Sequence, residues 1–125
     1  MLTASNKKIK NGKWKEYNKH AVLIAEGCYV NNIKTGLWKE YYDTGEIMIE
    51  EHYLNGVQHG SFTSYHRNGE VLSKGQYDRG QRVGHFKIYN ENGRHIRTLL
   101  FVNNIQIEDV EELQAAHEEL REQKC

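Results

Sequence analysis

One spacing constrains this chain more than any other feature. Gly12, Gly36, Gly60 and Gly84 each stand 24 residues from the next. Two residues after each glycine comes an aromatic: Trp14, Trp38, Phe62, Phe86. Three further on stands a tyrosine: Tyr17, Tyr41, Tyr65, Tyr89. A second aromatic column follows at Tyr29, Tyr53, Tyr77 and Phe101. Gly45, Gly69 and Gly93 align, with Ala21 as the exception, and so do Asn32, Gly56, Gly80 and Asn104. No gap is needed over residues 12–107. Self-similarity at a fixed period marks a repeat array, in which a unit buries its apolar side only against its neighbours.

Each unit reads as two short strands and two turns. Leu37 to Tyr42 is aromatic-rich and bounded by Gly36 and by Asp43-Thr44-Gly45; Ile47 to Leu54 ends at Asn55-Gly56. Asn-Gly supplies the positive φ angles of a two-residue hairpin turn, and it recurs at Asn68-Gly69 and Asn92-Gly93. Turns this close together predict an antiparallel meander, since parallel strands need longer crossovers. The expected fold is therefore all-β: a hairpin-repeat ribbon of four units, 12–35, 36–59, 60–83 and 84–107, with 1–11 as a partial starting unit. Gly12, Gly36, Gly60, Gly84, Gly45, Gly69 and Gly93 are its structural glycines. Trp38 and Tyr41 are three apart, so either both faces carry aromatics or a bulge rotates one of them.

Residues 108–125 change character. They lack glycine, are rich in Glu, Gln, Ala and Leu, and place Val110, Leu113, His117 and Leu120 at helical spacing. The composition predicts an acidic C-terminal α-helix over 108–125. It would cover the open edge of the last strand or dock a partner; a disordered acidic tail is the other reading. Net charge is zero, but residues 1–20 hold six lysines against one glutamate, and residues 108–125 hold seven acids against two bases. Oppositely charged ends suggest head-to-tail association, weakened by salt.

Composition narrows the function. With 38% hydrophobic residues and a mean hydropathy of −0.83, a large closed core is not expected. Charge balance argues against nucleic-acid binding. Residues 1–10 lack the apolar stretch of a secretory signal, and Cys28 and Cys125 make no disulfide framework, so a cytoplasmic setting is expected. The seven histidines, His20, His52, His59, His66, His85, His95 and His117, show no metal-ligand spacing. The glycines form no phosphate loop. No catalytic residue, metal or cofactor is expected, and the chain reads as a non-enzyme.

What remains is a binding surface. Trp38, Glu40 and Tyr42 share a face at spacing two, as do Phe62, Ser64 and His66. The tryptophans and phenylalanines either pack within the array or face a partner. Tyr42, His66 and Arg67 are the less repetitive residues of their columns, where an array can become partner-specific. The candidate partner-binding residues are Trp38, Tyr42, Phe62, His66 and Arg67.

The pattern Gly36-x-Trp38-x-x-Tyr41-x-x-x-Gly45, repeated from Gly60 and Gly84, resembles the MORN family, and more closely its bacterial variant form. Tyr53-Leu54-Asn55-Gly56 and Tyr77-Asp78-Arg79-Gly80 look like its second strand end and turn. Gly27 and Gly75 match its middle glycine, where Glu51 and Leu99 depart from it. The resemblance implies a protein-binding repeat module of the antitoxin or immunity type, which neutralises a partner toxin. The alternative it implies is a structural, self-assembling scaffold with weak attachment to anionic lipid.

Overall fold

The computed structural model describes residues 9–111. Nine strands follow in chain order: β1 (Gly12–Tyr17), β2 (Leu23–Val30), β3 (Ile33–Tyr41), β4 (Ile47–Leu54), β5 (Val57–Tyr65), β6 (Val71–Asp78), β7 (Gln81–Tyr89), β8 (His95–Val102) and β9 (Ile105–Glu111). Each pairs antiparallel with its chain neighbour, giving one meander sheet. Eight inter-strand steps make it about 38 Å long in the stacking direction. The described residues contain no helix.

The C-terminal helix expected from residue 108 is corrected over its first four residues. Glu108 to Glu111 belong to β9, and Val110 pairs with Thr98. The free backbone donors and acceptors of β8 supply partners that outweigh the local helix preference. The boundary drawn between 107 and 108 therefore falls inside a strand. Leu113, His117, Leu120 and Cys125 lie outside the described residues.

Two kinds of turn alternate. Asn31-Asn32, Asn55-Gly56, Arg79-Gly80 and Asn103-Asn104 have positive φ at both residues, which is the type I′ geometry read from Asn55-Gly56. These turns line one margin of the ribbon. Asn68-Gly69 and Asn92-Gly93 differ from the expected two-residue turn. His66 N–H reaches the Glu70 carbonyl at 2.8 Å and Gly69 N–H the His66 carbonyl at 3.0 Å, so the loop is three residues and only Gly69 is left-handed. Asn68 instead turns its side-chain oxygen to the Glu70 N–H at 3.0 Å. The other margin carries this longer turn four times, at 18–22, 42–46, 66–70 and 90–94.

The glycine column also sits differently from the expected strand boundary. Gly36, Gly60 and Gly84 lie inside β3, β5 and β7 with φ of 68°, 103° and 73°. Cys28 pairs with Thr35 but Glu26 pairs with Lys39, leaving Gly36, Leu37 and Trp38 opposite Gly27 alone. A left-handed residue within the strand permits this bulge.

The bulge leaves aromatics on both faces. Trp38 lies over Gly27, while the Tyr41 hydroxyl donates to the carboxylate of the adjacent Glu26. On the first face, rings stack edge to face along Trp14–Tyr29–Trp38–Tyr53, with centroids 5.8, 5.0 and 6.3 Å apart. A second run, Phe62–Tyr77–Phe86–Phe101, has spacings of 5.6, 5.8 and 5.2 Å. These rings are the core: Tyr29, Trp38, Phe86 and Phe101 are its buried members. Each edge-to-face pair adds about 1 kcal/mol beyond its buried area.

Candidate partner-binding site

Side chains of the array cover much of the ring face. Lys34 Nζ sits 4.5 Å above the Trp38 ring and 5.0 Å from Tyr53; Lys10 covers Trp14 and Tyr29, and Arg82 covers Phe101. Trp38 is 2% exposed. As a residue proposed to touch a partner it is corrected: its ring is already spent on Gly27, Tyr29 and Lys34. Phe62 is half-buried between Tyr77 and Phe86. Both shape the sheet from beneath rather than presenting themselves.

Between the two ring runs stands Glu51, in the column of Gly27 and Gly75. It pairs with Trp38 on one side and Phe62 on the other, and is 5% exposed. Its carboxylate accepts from Gln58 Nε2 at 2.7 Å and from the Tyr53 hydroxyl at 3.1 Å. Gln58 occupies the column of Lys10, Lys34 and Arg82, so one unit exchanges a cation over a ring for an amide on a carboxylate. Burial, and then the Glu51 charge, push the Glu40 carboxyl up, against the pull of Lys34. Burial and Glu51 push the Tyr53 phenol up as well.

Tyr42, His66 and Arg67 come together on the long-turn margin. The Tyr42 hydroxyl donates to the Tyr65 carbonyl at 2.6 Å. One unit on, His66 Nε2 lies 2.8 Å from the Tyr89 carbonyl, so this nitrogen carries the proton. The Arg67 guanidinium stacks 4.5 Å over the Tyr42 ring and donates to Asp43 Oδ1 at 3.0 Å and Thr44 Oγ1 at 3.2 Å. Asn68 Nδ2 reaches the Glu91 carbonyl at 2.8 Å. Tyr42, His66, Arg67, Asn68 and Glu91 line one shallow cleft. Asp43, Thr44 and Asn68 read from the sequence only as turn residues, and Glu91 carries no mark of its own. Their signal was the 24-residue offset, which stacks one turn upon the next.

Chemistry elsewhere is sparse. Among the described residues no three His, Cys, Asp or Glu side chains group as metal ligands. Ser61 Oγ lies 3.2 Å from His52 Nδ1 on the exposed face. Among the described residues no carboxylate orients that ring, as a catalytic hydroxyl requires. His59 Nδ1 accepts the Arg79 N–H at 3.1 Å and lies 3.5 Å from Asp78 Oδ1. Asn11 does the same for Asn31 at 2.7 Å, which makes His59 a turn residue.

The family model of the MORN repeat variant matches this chain twice, over residues 34–55 and 58–79. Each match begins just inside β3 or β5, crosses the long turn at 42–46 or 66–70 and ends on the first residue of the next type I′ turn, so the matched unit is one hairpin closed by the long turn. MORN repeats are generally protein- or lipid-binding modules. No curated protein matches the chain.

Proposed function

We propose that this chain is a non-enzymatic, cytoplasmic protein-binding module that docks its partner along the long-turn margin. The observation that carries the reading is the Arg67–Tyr42 stack beside His66. Side chains that vary between units are held there by named contacts, while the rings that recur in every unit pack in the core. Tyr and Arg are the residues that most often anchor interfaces. By resemblance to bacterial variant MORN proteins, the partner is a toxin and the module its antitoxin or immunity protein. Masking an active surface needs only tight docking and no chemistry.

The test is a tagged pull-down from the native host, read by mass spectrometry, with Tyr42→Ala/His66→Ala as control. One dominant partner, lost in the variant, supports the reading. That partner should also regain an inhibitory activity when freed. Capture of nothing but copies of the chain sinks the antitoxin reading.

A further inference from the structure

Among the described residues the two end strands of the sheet are each paired on one side only, and they carry opposite charge. β1 pairs only with β2 and β9 only with β8, so each end strand has one row of backbone donors and acceptors without a sheet partner among the described residues. Such an edge is a template for another strand. Residues 9–20 hold Lys10, Lys13, Lys15 and Lys19 against Glu16. β9 holds Glu108, Asp109 and Glu111. Arg97 of β8 offsets part of that charge, donating to Asp109 Oδ1 at 3.0 Å and Glu111 Oε1 at 2.7 Å. Glu108 makes no such ion pair among the described residues. Each end also leaves apolar side chains exposed: Ile9 and Tyr17 at one, Ile105, Ile107 and Val110 at the other.

β9 departs from the repeat. Glu108 stands where Gly12, Gly36, Gly60 and Gly84 stand in the other odd strands. Without the left-handed glycine its register slips by one residue, not two, at Leu100/Phe101. Asp109 rather than Val110 then pairs with Leu99 in the ring row, so the aromatic stack ends with an acid.

We propose that the β1 edge of one molecule pairs with the β9 edge of a second copy of this chain. Like edges repel: two β1 strands would juxtapose lysines, and two β9 strands carboxylates. Only the head-to-tail contact brings opposite signs together, and it is heterologous, so it extends into a chain of copies. The contact uses the ends of the ribbon and is independent of the partner reading at the long-turn margin.

Sedimentation velocity from about 5 to 500 µM tests it, at low salt and at about 0.5 M salt, where screening is strong. The sedimentation coefficient is expected to climb with concentration at low salt and to stay at the monomer value at high salt. Two charge-swap variants sharpen the test. Lys13→Glu/Lys15→Glu makes both edges acidic, and Gln106→Lys/Glu108→Lys/Glu111→Lys makes both edges basic, with three lysines against Asp109 in β9. Each alone is expected to remain monomeric, while their equimolar mixture assembles. A circular dichroism spectrum of each variant checks that it is folded. A wild type that stays monomeric throughout, or a mixture that fails to assemble while both variants are folded, overturns the proposal. So does assembly that either variant retains alone.

Discussion

Trp38 lies directly on Gly27: a β-carbon built on that glycine would stand 2.1 Å from the indole Cδ2. The missing side chain in β2 is the floor on which the β3 ring rests, and Gly75 serves Phe86 in the same way. Gly27→Ala therefore forces the indole off its seat or the strands apart. We expect a loss of about 3 kcal/mol, the upper range for overpacking a tight site. A urea midpoint compared with wild type measures it. An unchanged midpoint would mean that the ring is not seated there.

Ala21 offers the converse. It holds φ at 62° in the turn column otherwise filled by Gly45, Gly69 and Gly93. A left-handed alanine costs about 1 kcal/mol or more. Ala21→Gly is expected to raise stability by about 0.5 kcal/mol, after allowing for the greater freedom glycine gives the unfolded chain. Thermal unfolding reads this as a rise of a few degrees.

The second face predicts a response to alkali. The Tyr41 and Tyr65 hydroxyls donate to Glu26 and Glu50, and both phenols are pushed up to about 12. Burial leads for Tyr41 and the bond to Glu50 for Tyr65. A folded pKa above the unfolded value of 10 means that stability is whole below pH 10 and is lost as pH rises through about 12. Urea midpoints between pH 9 and 12 should fall more steeply for wild type than for Tyr41→Phe/Tyr65→Phe. Equal slopes would remove these two tyrosines from the account. Glu40 acts at the acid end. Its raised pKa means that stability falls as pH rises above 4.5, so Glu40→Gln should stabilise at pH 7 and lose that advantage near pH 4.

One cross-strand row is unbalanced. Lys15, Glu26, Lys39 and Glu50 alternate in sign across β1 to β4, each in register with the next. Further along, Lys74 and Lys87 stand directly opposite each other, flanked by Thr63 and Thr98. Like charges so placed destabilise a sheet. Lys87→Glu should gain about 0.5 kcal/mol at low salt and less at high salt. Denaturant midpoints at two ionic strengths decide it.

The meander was legible in the sequence because period and turn chemistry agree. Asn55-Gly56 alone specifies a type I′ hairpin, and the gapless columns carry that hairpin along the chain. The places where reading failed share a cause. Gly36 marks a left-handed residue, but sequence does not say whether that residue ends a strand or bulges within one. Because a bulge resets the alternation of side chains, the faces of Trp38 and Tyr41 depend on where it falls; it falls before Trp38, and the two rings take opposite faces. Glu108 to Glu111 have helical composition, yet the unpaired edge of β8 decides their conformation. Of the proposed contact residues, Tyr42, His66 and Arg67 converge because they sit on stacked turns. Trp38 does not, since burial of an aromatic depends on what lies across from it, here a glycine 11 positions earlier.

Docking of a partner on the long-turn margin, as proposed, leaves the ring face to serve as core. Hydrogen exchange on the protein with its captured partner bound tests this most directly. New protection is expected at 42–46, 66–70 and 90–94, with the type I′ turns at 55–56 and 79–80 unchanged. Protection confined to those short turns, or to the ring face around Lys34 and Arg82, would contradict the account.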